Sequence, residues 1–201
     1  MPLASVNLLS HPASLPGTVR SFLHEAQRRI DRFKRAHDVP GFVPSEFEHV
    51  YGTLHALAEA AVAPGDRFCE WGSGLGVVAC LAAMIGFDAC GIEIEGELVE
   101  AAQRLADDFA LPVEFVRGSF IPPGGEVCFG APADYGWLTL RGEDLRLEMG
   151  FSPEDFDVFF AYPWPDEERA VGELFERFAA VGAVLVTYHG GGESCLRRKA
   201  A

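Results

Sequence analysis

The sequence predicts a doubly wound α/β domain built on a mainly parallel sheet. From Asp66 onward, short apolar runs alternate with amphipathic stretches of ten or more residues. That is the rhythm of strands joined by crossover helices. The candidate strands are apolar almost throughout, as expected when helices cover both faces of a sheet. The first of them runs into "EWGSGLG" (Glu70 to Gly76), a glycine turn opening a helix.

The elements follow in order. Thr18 to His37 carries Val19, Phe22, Leu23, Ala26, Ile30 and Phe33 at helical spacing, which predicts an amphipathic helix. Two prolines and a glycine in "DVPGFVPSEF" end it. Ser45 is the expected N-cap of a second helix reaching about Val62. Residues 1–65 thus form an N-terminal helical extension ahead of a ligand-binding domain at 66–201. In that domain the expected strands are Asp66–Trp71, Asp88–Glu93, Leu111–Gly118, Asp157–Ala161 and Ala183–Tyr188. Helices are expected at Leu75–Ile85, Glu97–Ala110 and Asp166–Ala180. Between Ile121 and Phe151 the rhythm fails. This insertion is expected to be a lid or hairpin with short β-structure within Glu126–Met149. Only 13 residues follow Tyr188, so the C-terminal end reads as reduced and the fifth strand as an edge.

A chain of 201 residues fits one domain. Its net charge of −14 is unevenly placed, since six of the 16 Lys and Arg fall between Arg20 and Arg35. From Ala36 to Leu196, 7 basic residues stand against 28 acidic ones. Such a body repels phosphate backbones, so no nucleic-acid partner is expected; it attracts a cationic one, with plain solubility as the alternative reading of the charge. The basic face of the first helix reads as solvated. No apolar run is long enough for a membrane span. The N-terminus lacks the basic and apolar regions of a signal peptide. The five cysteines never occur as CxxC, so no metal site is expected and a reducing cytoplasm is. Oligomeric state is not readable from these features.

Glycines let a backbone approach a ligand, and the amides opening a helix favour an anionic group. A dinucleotide site needs G-x-G-x-x-G, whereas Gly72, Gly74 and Gly76 alternate. Glu70, beside the turn, would repel a pyrophosphate but suits an ammonium or sulfonium. Glu93 lies 21 positions beyond Gly72 and ends the second strand, where a carboxylate can accept both ribose hydroxyls. An ammonium, a carboxylate, a sulfonium and a ribose together describe S-adenosyl-L-methionine.

"EWGSGLG" and "GIEIE" resemble the glycine and acidic motifs of the class I S-adenosylmethionine-dependent methyltransferases, with "RGSF" and "DVFFAYPWP" in their later segments. The resemblance spans about Asp66 to Tyr188 and implies a Rossmann-like methyltransferase fold. It also implies that Gly72, Ser73, Gly74 and Gly76 line the methionine portion of the cofactor. Ile94 would pack on adenine, and Ser119 and Phe120 would lie in the adenine segment. "PGFVPSEFEHVYGTLHAL" further resembles the lysine methyltransferases of the ATP-synthase c-subunit and the adenine nucleotide translocase. That likeness implies that Phe42, Val43 and Pro44 cover the cofactor and that the acceptor is a lysine or another amine.

Methyl transfer needs an acceptor held in line behind the methyl group. Tyr162 and Trp164, in the proline-stiffened turn after the fourth strand, offer rings for a flat or cationic acceptor. Ala161 cannot accept a hydrogen bond from a base amine through its side chain, which argues against base methylation. His189, after the fifth strand, is a candidate proton acceptor, with a plain solvated loop as the alternative. Two other classes remain open, an inactive S-adenosylmethionine-binding module and a nicotinamide oxidoreductase.

Overall fold

Period-two alternation decides which way each central strand faces. In β2 (Arg67–Trp71), Phe68 turns to one side of the sheet and Cys69 and Trp71 to the other. The computed structural model describes residues 3–5, 15–37, 39, 41–129 and 150–201. Within them β3 (Asp88–Glu93), β4 (Glu114–Arg117), β5 (Val158–Ala161) and β6 (Val184–Tyr188) join β2 in parallel. Two further strands, β7 (Ser194–Lys199) and β1 (Leu3–Ser5), complete the order β1-β7-β6-β5-β2-β3-β4.

The helices α1 (Gly17–Ala36), α2 (Phe47–Glu59), α3 (Val77–Ile85) and α4 (Gly96–Asp108) cover one face. Phe22, Ile30, Leu54, Leu81 and Leu105 bury there against Phe68, Phe160 and Val186. The other face packs α5 (Glu168–Phe178), through Val171, Leu174 and Phe175, on Trp71, Phe159 and Leu185. After β4 the chain returns to the far side of β2. The strand order therefore reverses between β2 and β5, where a crevice opens beyond the strand ends.

Two expectations need correcting. Helix α2 starts at Phe47 with Glu46 as its N-cap, and no side chain caps it. The strand β6 is not an edge, because β7 pairs antiparallel with it from Val184↔Arg198 to Tyr188↔Ser194 and β1 pairs with β7. In "SCLRRK" only Leu196 is fully buried, so β7 carries little apolar signal. Its charges mark it as a strand near a sheet edge. They are also used: Lys199 Nζ donates to the Ala179 carbonyl that follows α5 (2.6 Å), and Arg198 Nε to that of Gly182 (3.2 Å). In the segment where short β-structure is expected, Glu126–Cys128 forms a 3-10 turn. The rest of the expected hairpin, from 130 to 149, lies outside the described residues.

Candidate ligand-binding cleft

The three glycines of the turn have left-handed backbones, with φ of +72° at Gly72, +55° at Gly74 and +71° at Gly76. Both Gly72 N–H and Ser73 N–H donate to the Ile92 carbonyl (2.9 Å each), which ties the turn to β3. A Cβ on Gly72 would meet nothing, and one on Gly74 would stand 2.8 Å from the Phe42 ring. At Gly76 it would strike Phe115 and Ala102. Gly72 thus faces open space, Gly74 lies against the Phe42 ring, and both line the cleft. Gly76, which closes the turn, packs against Phe115 and Ala102 and is not among the residues lining the cleft.

The crevice is a cleft of about 630 Å³. Phe42, Glu70, Gly72, Ser73, Gly74, Glu93, Ile94, Ser119, Phe120, Tyr162, Trp164 and His189 all line it. Residues the sequence did not single out join them. Trp71 stacks on Phe120 with centroids 5.3 Å apart and planes 10° from parallel. Alternation could have found it, since the side chain after Glu70 must turn to the opposite face. Glu167 and Glu168 also border the cleft.

Glu93 clasps the turn. One carboxylate oxygen accepts from Gly74 N–H (2.8 Å), and the other from Ile94 N–H (2.8 Å) and Glu95 N–H (3.0 Å). A carboxylate has about four acceptor positions, so one remains for a ligand hydroxyl. Glu70 shares the side of the sheet taken by Phe68, and this brings its Oε2 to Ala79 N–H (2.8 Å) in the first turn of α3. The helix start thus supplies a donor that partly offsets the cost of burying this carboxyl. Ser119 Oγ accepts from Ile121 N–H (3.2 Å). Ser73 Oγ is buried with no hydrogen-bond partner among the described residues, an orphan polar atom that a ligand would satisfy.

At the far end, Tyr162 meets Tyr188 edge to face with centroids 4.8 Å apart. His189 is not a solvated loop residue. Its Nδ1 lies 2.8 Å from Glu168 Oε1, and its Nε2 lies 2.9 Å from Thr187 Oγ1.

Five carboxylates line the cleft (Glu70, Glu93, Glu95, Glu167 and Glu168), while its described lining includes no Lys or Arg. Burial pushes Glu70 well above the usual carboxylate range and also raises Glu93 and Glu167. A carboxyl raised by folding contributes stability that is complete below its unfolded pKa, about 4.3, and lost as pH rises through the folded value. The ligand-free protein is therefore expected to lose stability from about pH 5 upward, and Glu70→Gln to flatten that loss. Thermal unfolding of both proteins across this interval checks the expectation, and identical slopes would contradict it.

No protein-family model matches the chain, and no curated protein matches it significantly. Solved structures do match. An RNA methyltransferase from Salinibacter ruber, in complex with S-adenosyl-L-homocysteine, is 20% identical with a TM-score of 0.51, over 78% of this chain and 92% of that one. An O-methyltransferase from Bacillus cereus, in complex with SAH, is 15% identical with a TM-score of 0.55, over 87% of this chain and 67% of that one. At these identities the likeness establishes architecture: the chain has the Rossmann-like fold of S-adenosylmethionine-dependent methyltransferases.

Proposed function

We propose that the protein is an S-adenosylmethionine-dependent methyltransferase acting on an amine, of which a lysine side chain is one form. One observation carries the reading: a glycine turn clasped by Glu93 opens into a cleft lined by carboxylates, with no basic side chain among its described lining residues. Such a cleft repels the pyrophosphate of a dinucleotide and accommodates a ligand with ammonium and sulfonium groups. When bound, S-adenosylmethionine supplies an electrophilic methyl group on its sulfonium sulfur. Ser73 Oγ and the amides of the turn would hold its carboxylate end, Glu93 a ribose hydroxyl, and Phe42 its covered side. Trp71, Ile94, Ser119 and Phe120 border the space for the adenine.

Tyr162 and Trp164 would wall the acceptor. His189, oriented by Glu168, would receive a proton once the Thr187 hydroxyl turns to the Cys195 carbonyl, 3.5 Å away. The two structural neighbours are named as RNA and O-methyltransferases, so the amine reading rests on the charge of this cleft. No helix among the described residues is long and apolar enough to cross a membrane. The five free thiols suit a reducing compartment such as the cytoplasm.

Calorimetry with S-adenosylhomocysteine and with NAD tests the cofactor. Binding of the first alone is expected. Binding of NAD alone would replace the reading with an oxidoreductase. Cofactor binding without transfer to any amine, hydroxyl or RNA acceptor would leave a binding module.

A further inference from the structure

Glu167 is 6% exposed and lines the cleft at its acceptor end. It is the N-cap of α5, and its side chain folds back over the aromatic turn. Its Oε2 accepts from Trp164 N–H (3.1 Å), while its own N–H donates to the Trp164 carbonyl (2.9 Å). A clasp of this kind needs one acceptor atom, which a neutral Asn, Ser or Gln also provides. A carboxylate brings a second oxygen and a negative charge. Among the described residues no cation pairs with Glu167, and Asp166 adds further negative charge nearby. Glu168 holds His189 through Oε1 and its side chain is 38% exposed, so solvent screens its charge more than that of the buried Glu167. A buried charge without a counter-ion is costly, and structures keep one where a partner supplies the missing charge.

We propose that Glu167 is the specificity-determining residue of the acceptor site, selecting a protonated amine held between its free carboxylate oxygen and the rings of Tyr162 and Trp164. The rings add a favourable quadrupole for the same cation. A neutral hydroxyl acceptor of equal shape would leave the carboxylate uncompensated, so discrimination comes from charge more than from fit. The inference rests on the methyltransferase reading in one respect, that the ligand beside this site is S-adenosylmethionine.

The test is a binding titration of the protein saturated with S-adenosylhomocysteine, so that probes cannot enter the cofactor's own ammonium position. Phenethylamine is compared with 2-phenylethanol, and Nα-acetyl-lysinamide with Nα-acetyl-norleucinamide. At least one amine is expected to bind at least tenfold tighter than its neutral counterpart, and the pair that shows this separates a small amine from a peptide lysine. Glu167→Gln keeps an acceptor for Trp164 N–H. It is expected to erase the preference while S-adenosylhomocysteine affinity stays within threefold, which also reports that the variant is folded. Equal binding of amine and neutral probe, no binding of either amine, or a preference that survives Glu167→Gln would overturn the proposal. Failure of S-adenosylhomocysteine to bind would sink the methyltransferase reading instead, and the four probes can then be compared on the protein alone.

Discussion

Gly74→Val is expected to lower S-adenosylhomocysteine affinity at least ~100-fold, or about 2.7 kcal/mol, while the protein stays folded. The backbone at Gly74 has φ +55°, and a Cβ there would stand 2.8 Å from the Phe42 ring. A branched side chain must push that ring aside or intrude into the cleft, and either fills the space between the turn and its aromatic cover. The left-handed conformation itself costs about 1–3 kcal/mol for a residue other than glycine. It also strains the amide that donates to Glu93 Oε2. Calorimetry gives the affinity and circular dichroism the fold. Affinity within threefold of the native protein would mean that the turn does not bind the cofactor.

Gly76→Ala is expected to act on the other quantity. It should destabilise the protein by about 2–5 kcal/mol, combining a left-handed penalty of about 1–2 with an overpacking cost of about 1–3. At this chain length the melting temperature should fall by roughly 10 °C. The methyl group would run into the Phe115 ring and approach Ala102 Cβ at 2.9 Å. Both neighbours are buried in the core, so neither can move aside into solvent. At low temperature, where the variant is still folded, S-adenosylhomocysteine affinity should be nearly native. Shortening the neighbour with Phe115→Leu should restore part of the loss. An unchanged melting temperature, or lost affinity without lost stability, would return Gly76 to the binding surface.

These two glycines stand two positions apart and look alike in "GSGLG", which shows where sequence reading stops. Apolar runs and helical spacing were enough for β2 to β6 and the helices between them, because those signals come from burial along one segment. Charge and glycine placement were enough to bring Glu93, Ser73 and Gly74 to one cleft. What stayed hidden depends on a second segment. Phe115, arriving from β4, makes Gly76 a packing position. Glu168, 21 positions away, fixes His189. Nothing local to Glu167, at a helix start, shows that its carboxylate folds back on Trp164 N–H. The strand β7 carries little local signal because its pairing is made by backbone while half of its side chains are charged.

The antiparallel rim has a consequence for the order in which the sheet can assemble. Strands β6 and β7 are joined by a short loop closed by His189 N–H on the Glu193 carbonyl (2.9 Å), so their pairing is local and hairpins of this kind close within microseconds. Strand β1 has no such neighbour in sequence: Leu3 pairs with Lys199, almost the whole chain away. The entropy of closing so long a loop must be met before that contact returns anything. The rim is therefore expected to grow outward, hairpin first and β1 last, onto an edge that the rest of the sheet has already built. Of the strands in this sheet, the earliest in sequence is thus expected to be the last to pair.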